Sequence, residues 1–107
     1  MLVHVDLSQS PADVSLEEPD DVKRFHIQVV GGSDPEHVDA ALRAHDVGTI
    51  EEGGQALVKV DAVRRLADGR VPASWDQELD GMLEYAGTKG WLHDDGTLIE
   101  AHVEYSS

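Results

Sequence analysis

Residues 24–48 read RFHIQVVGGSDPEHVDAALRAHDVG and contain the pattern on which the rest of the fold prediction is built. Over 24–30, apolar side chains alternate with polar ones, which is typical of a strand with one buried face. Two glycines follow, and apolar side chains then recur at helical spacing over 34–45. Ser33 and Glu36 have the spacing of a capping box at the start of that helix. The stretch therefore predicts a strand, a tight turn and an amphipathic helix.

The chain after this helix predicts a hairpin, two more helices and a last strand. Glycines supply the turn of the hairpin, and Ser and Gly residues lie where the longer helix would begin and end. The predicted bounds are 49–51 and 55–60 for the strands of the hairpin, 61–68 for a short helix, 74–90 for a longer helix and 97–105 for the last strand.

Strand, helix, hairpin, helix and strand in this order give the βαββαβ pattern of a ferredoxin-like split βαβ sandwich, with the helix over 61–68 as an extra element. Before this core, which covers 23–105, the sequence predicts an N-terminal strand over 2–7 and an acidic, proline-containing loop or linker over 8–22. We therefore predict an α+β fold in a single domain over 1–107. The alternative is a winged-helix-like α+β fold built from the two later helices and a C-terminal hairpin. Pairing of the first core strand with the last strand in one sheet would distinguish the two.

The charge balance of the chain restricts its partners. It has 22 Asp or Glu and 8 Lys or Arg, which leaves a formal charge of −14 on 107 residues. Because nucleic acids and anionic membranes are held mainly by Lys and Arg, we expect neither as a partner. The absence of cysteine excludes disulfides and cysteine-ligated metal sites. No secretion signal or membrane span is visible, so we predict a cytoplasmic protein.

The outward face of the predicted sheet carries candidate metal ligands. If helices cover one face of the sheet, the other face is open, and the first and last core strands are neighbours. His26 and His102 are then expected to approach each other beside Glu100 or Glu104, with His4 as a further nitrogen ligand. Two imidazoles and a carboxylate suit zinc or another divalent ion. A divalent-metal-binding protein is therefore one hypothesis, and no other cofactor is predicted.

The same face mixes apolar and polar side chains without a partner in the predicted fold, a pattern typical of contact surfaces. Our main prediction is a small acidic binding or regulatory module that acts through protein–protein contacts. A basic protein is one partner that this charge favours, and a second copy of the chain, giving a homodimer, is another. The residues predicted to form this interaction face are Gln28, Val30, Leu57, Lys59 and Leu98.

The positions of the remaining reactive and aromatic side chains predict structural roles and not catalytic ones. Serines fall in predicted linkers, helix caps or the tail, and paired acids fall in glycine-containing turns, so no catalytic residue is predicted. A small enzyme whose site only the fold assembles is the second alternative. Trp75 and Trp91 bracket the longer helix and are predicted to anchor the core, as large aromatic residues at the ends of elements usually do.

Overall fold

A mixed, seven-stranded sheet forms the centre of the fold. The computed structural model describes residues 1–106. Within these residues the chain forms seven strands and three α-helices. In chain order they are β1 (Leu2–Asp6), β2 (Asp13–Glu17), β3 (His26–Val30), α1 (Pro35–Ala44), β4 (Gly48–Ile50), β5 (Ala56–Lys59), α2 (Val60–Ala67), α3 (Trp75–Thr88), β6 (Leu92–His93) and β7 (Leu98–Ser106), with a 3-10 turn at Asp94–Gly96.

The strands lie in the order β2-β1-β3-β7-β5-β4, and β6 pairs with β7 beside this path. β3 runs parallel to both β1 and β7, whereas the other pairs are antiparallel. Ile27 of β3 lies opposite Val103 of β7. Because the first and last core strands pair in one sheet, this arrangement favours the sheet-based prediction over the winged-helix alternative. The α+β class is confirmed, while the complete ferredoxin-like arrangement remains a prediction.

One face of the sheet is buried and the other is open. Along β1 and β3, and along β7 as far as Val103, every second side chain is buried, and the side chains between them are half-buried or exposed. This alternation confirms the predicted faces of β3 and of β7 up to Val103, whereas Tyr105, which continues the inward-facing period, is exposed. Removal of apolar area from water is the main favourable term in folding, so these side chains stabilise the sheet against the helices. The buried face includes Val3, Val5, Ile27, Val29, Val58, Ile99, Ala101 and Val103.

The segment over 8–22, predicted to be a loop or linker, contains the strand β2. This strand pairs with β1 and buries Val14 and Leu16. Prolines and acids around it hid the two-residue period from the sequence pattern. The side chain of His45 contacts the carbonyl oxygen of Ala12 just before the strand, and Arg70 donates to the carbonyl oxygen of Leu16 within it. These contacts tie β2 to α1 and to the segment after α2.

Two carboxylates, one just before α1 and one within it, fix how this helix begins and where it packs. Asp34 caps the helix instead of the predicted Ser33, because its Oδ1 accepts a hydrogen bond from the backbone N–H of Glu36 at 3.0 Å. Asp39 accepts a hydrogen bond from the backbone N–H of Ile50 at 2.8 Å and so joins α1 to β4. This hydrogen bond is the main cause of the lowered pKa of Asp39.

The helix α3 is tied to the rest of the fold at both ends. At its start, the Trp75 indole N–H donates to the carbonyl oxygen of Pro19, and Arg64 of α2 binds two aspartates of α3. At its end, the backbone N–H of Trp91 donates to a carbonyl oxygen of the last turn at 3.0 Å. Between these ties a cleft separates α3 from β7.

Candidate functional site

A gap along one edge of β7 forms the floor of this cleft. β5 pairs with one edge of β7, where Lys59 lies opposite Leu98 and Ala56 lies opposite Ala101. On the opposite edge, β6 pairs as far as Ile99, and β3 begins only at His102. Between these two positions the N–H of Glu100 bonds to the carbonyl oxygen of Trp91, but no strand pairs with β7, and residues of α3 line the same space. The resulting cavity, which we call the α3 cleft, has a volume of about 850 Å³.

Apolar and aromatic side chains form most of the wall of the α3 cleft. Tyr85 and Trp91 meet edge to face at its rim, with ring centroids 6.1 Å apart and an interplanar angle of 69°. The ammonium group of Lys89 lies 5.5 Å from the centre of the Tyr85 ring, within cation–π range. The other apolar side chains of the wall are Val22, Phe25, Met82, Ala86, Ile99 and Ala101.

Only one of the two tryptophans anchors the core. Trp75 is 2% exposed, as predicted. Trp91 is 42% exposed, so its prediction was wrong. The backbone of Trp91 is nevertheless fixed on both sides, because its N–H donates to Ala86 at 3.0 Å and its carbonyl accepts from the N–H of Glu100 at 2.8 Å. The indole is therefore presented to solvent from an ordered backbone.

The polar groups of the α3 cleft are few. Gln55 donates from Nε2 to Oε1 of Glu100 at 3.0 Å, which orients that half-buried carboxylate. Small-molecule and side-chain pockets in proteins commonly combine apolar walls with a small number of oriented polar groups, and 850 Å³ is within their usual size. The polar residues that line the cleft are Lys23, Gln55, Glu78, Glu100 and His102.

On the open sheet face, the structure brings three of the predicted metal ligands together. His26 lies directly opposite His102 in the paired strands β3 and β7. Nε2 of His26 lies 3.7 Å from one oxygen of Glu104, and Nε2 of His102 lies 3.7 Å from the other. The carboxylate thus bridges the two imidazoles. His26 is largely covered and His102 is mostly exposed.

The other two predicted ligands stay apart from this group. His4 lies on β1 opposite Gln28, so the whole width of β3 separates it from Glu104. Glu100 is held by Gln55 at the cleft. Among residues 1–106, no group of three or more His, Asp or Glu side chains has an arrangement that would hold a metal ion. The ligand types converge, but at 3.7 Å their present geometry is that of a surface cluster of imidazoles around a carboxylate, without hydrogen bonds between them.

The residues of the predicted interaction face all lie on strands of the sheet with their side chains away from the core. Leu57 is opposite Glu100, and Lys59 is opposite Leu98, so apolar and charged side chains alternate across β5 and β7. Lys59 forms an ion pair with Asp46. Its ammonium group is therefore already partly neutralised. Gln28 and Val30 complete the set on β3, where Gln28 donates to Ser106.

Sequence reasoning missed the α3 cleft. Its residues come from the segment before β3, the middle of α3, the segment before β6 and the start of β7. Two features of the sequence point to it in retrospect. Gly81 lies in the middle of a predicted helix, where glycine is unfavourable and no turn requires it. Tyr85 lies beside the apolar stripe of the same helix.

No protein-family model, curated protein or solved structure matches the chain. Within residues 1–106, none of the helices has both the length and the apolar composition to cross a membrane.

Proposed function

We propose that this protein is a binding module that recognises a partner protein through the α3 cleft. The observation that carries the proposal is the pair Tyr85 and Trp91, which are 56% and 42% exposed at the rim of an apolar cavity. Large aromatic side chains are usually buried in part, and covering exposed ones with a partner is favourable because it removes their apolar area from water.

The residue types at the rim match those that dominate protein interfaces. Trp and Tyr are enriched among the few interface residues that carry most of the binding energy, and such residues cluster in pockets that a partner fills. The edge-to-face contact between the Trp91 and Tyr85 rings adds to this, because side chains that already restrict each other lose less conformational entropy on binding. The acidic surface, with a formal charge of −14, supports a partner of opposite charge.

The test is selection of peptides from a displayed random library on the immobilised protein, followed by mapping of amide chemical shifts. Selected peptides are expected to shift the amides of α3 and of the segment before β6. Trp91→Ala is expected to weaken the selected peptides by about 2 kcal/mol, or roughly 30-fold in Kd. Circular dichroism would show whether the variant keeps its secondary structure.

Tyr105→Ala is the matched control for this test. Tyr105 is 39% exposed, close to the value for Trp91, but it does not line the α3 cleft. The control is expected to leave peptide affinity unchanged within twofold. Selected peptides that bind equally well to Trp91→Ala, or a library from which none is enriched, would contradict the proposed function.

Metal binding on the open sheet face is a second candidate. The observation in its favour is the convergence of His26 and His102 on the carboxylate of Glu104. Zinc accepts imidazole and carboxylate ligands together, and a small rotation of the side chains would bring the three groups onto one ion. Titration with zinc is expected to shift the ring resonances of both histidines and to leave those of His37 in place. Unmoved resonances of His26 and His102 would remove this candidate.

A further inference from the structure

A glycine lies in the wall of the α3 cleft where the fold itself does not require one. Gly81 is in the middle of α3, and a Cβ built there has no atom within 4 Å apart from its chain neighbours and the surrounding backbone of the same helix. Its φ is also outside the left-handed region that favours glycine. Because glycine weakens a helix relative to alanine, this position gives the fold no local advantage. What it provides is a bare helix backbone that an occupant of the cleft can contact closely.

Two carboxylates flank this bare position. Glu78 lies one turn before Gly81 on α3, and Glu100 lies on β7 across the cleft. Glu100 accepts a hydrogen bond from a neutral amide, and within residues 1–106 neither carboxylate takes part in an ion pair. Lys23 is the ammonium group among the lining side chains, so the carboxylates outnumber it inside the cleft, while the ammonium group of Lys89 lies at the rim over the Tyr85 ring.

An occupant that covers the cleft removes water from these carboxylates. Burial of a carboxylate without a positive partner is strongly unfavourable, so a neutral or acidic occupant would lose much of the energy gained from the aromatic wall. A second copy of this chain would bring a further charge of −14 to the interface. The charge of the cleft and that of the whole chain therefore both favour an occupant with positive groups.

We infer that the α3 cleft accepts a segment of a basic partner protein, which places an apolar side chain against Gly81 and Met82 and a Lys or Arg beside it, facing Glu78 and Glu100. The inference rests on the proposed function and names the chemistry of the partner. The aromatic rim holds the apolar side chain, and the carboxylates select the charge of its neighbours.

The test compares two synthetic amphipathic peptides by isothermal titration calorimetry with the intact protein. One carries leucine on one helical face and arginine on the other, and its counterpart has glutamate in place of every arginine. The leucine and arginine peptide is expected to bind, with an affinity that falls as salt rises, and the glutamate peptide is not. Glu78→Gln and Glu100→Gln are each expected to weaken the basic peptide by about fivefold or more.

Two matched control variants distinguish binding in the α3 cleft from attraction by the negative charge of the whole surface. Glu84→Gln removes the same charge from the same helix at an exposed position outside the cleft, and it is expected to change Kd by less than about twofold. Gly81→Leu fills the cleft and is expected to abolish binding, whereas Gly87→Leu, on the same helix and also outside the cleft, is expected to preserve it. Circular dichroism on each variant shows whether α3 is intact.

Equal weakening by Glu78→Gln and Glu84→Gln would overturn the inference, because the attraction would then come from the whole surface. Failure of the basic peptide to bind, equally tight binding of the glutamate peptide, or a dimer in sedimentation experiments that Gly81→Leu dissociates would overturn it as well. If neutral displayed peptides bind the cleft and lose affinity with Trp91→Ala, the proposed function stands and this inference alone fails. If no displayed peptide reaches the cleft, both fail.

Discussion

Replacement of Gly81 by alanine is expected to make the protein more stable. The residue lies in the middle of α3, and beyond its chain neighbours and the surrounding helix backbone an added methyl group meets no atom within 4 Å, so no steric cost opposes the gain. Alanine restricts the unfolded chain and favours the helix relative to glycine by about 0.8–1 kcal/mol. The free energy of unfolding is expected to rise by that amount.

The gain is large enough to measure by two methods. For a domain of about this size, 1 kcal/mol corresponds to an increase in Tm of about 4–8 °C. Urea unfolding followed by circular dichroism is expected to give a higher midpoint with an unchanged slope, because the surface exposed on unfolding is nearly the same.

Gly87→Ala is the matched control on the same helix. A Cβ at this position lies 3.5 Å from a methyl group of Leu92, which is an ordinary contact. The position is near the end of α3, where helix propensity matters less, so a smaller gain is expected. A loss of stability with Gly81→Ala, together with no loss for Gly87→Ala, would refute the reasoning, since the bare backbone at Gly81 would then be a requirement of the fold.

Three further predictions concern the strand β2, the link between α1 and β4, and the surface charge. Leu16→Ala is expected to lower the free energy of unfolding by about 2–4 kcal/mol, because Leu16 is fully buried; a loss under 1 kcal/mol in urea unfolding would show that β2 is not packed. Asp39→Ala is expected to cost about 1–2 kcal/mol at neutral pH, by loss of the hydrogen bonds to Ile50 and Arg43. Since the pKa of Asp39 is lowered from 3.8 in the folded state, its contribution is present above 3.8 and is lost as pH falls through the folded pKa. Unfolding curves at a series of pH values are therefore expected to converge for the two proteins in acid, and a constant difference would argue against the link. Added sodium chloride is expected to raise Tm, because it screens the repulsion within a chain of charge −14, and a fall in Tm would contradict this.

The sequence by itself determined the local elements of the central part of the chain. The alternation over 24–30 and 97–105 and the helical spacing over 34–45 are properties of neighbouring residues, and the structure has β3, β7 and α1 at these places. The inward and outward faces of the strands were also predictable, because side chains alternate across a strand whatever its neighbours are. That alternation put His26 and His102 on the same open face.

Only the tertiary structure decided which segments meet. The strand β2 was hidden because its apolar side chains, Val14 and Leu16, are few and gain their burial from β1 and the helices, not from local pattern. The α3 cleft depends on where β6 ends and β3 begins along β7, which is a matter of register between distant segments. Trp91 is of a residue type usually found in a core, yet it is 42% exposed at the rim of the α3 cleft. Its backbone hydrogen bonds to α3 and β7 hold it there. Exposure of an aromatic side chain is set by the packing around it, and one residue's identity does not contain that information.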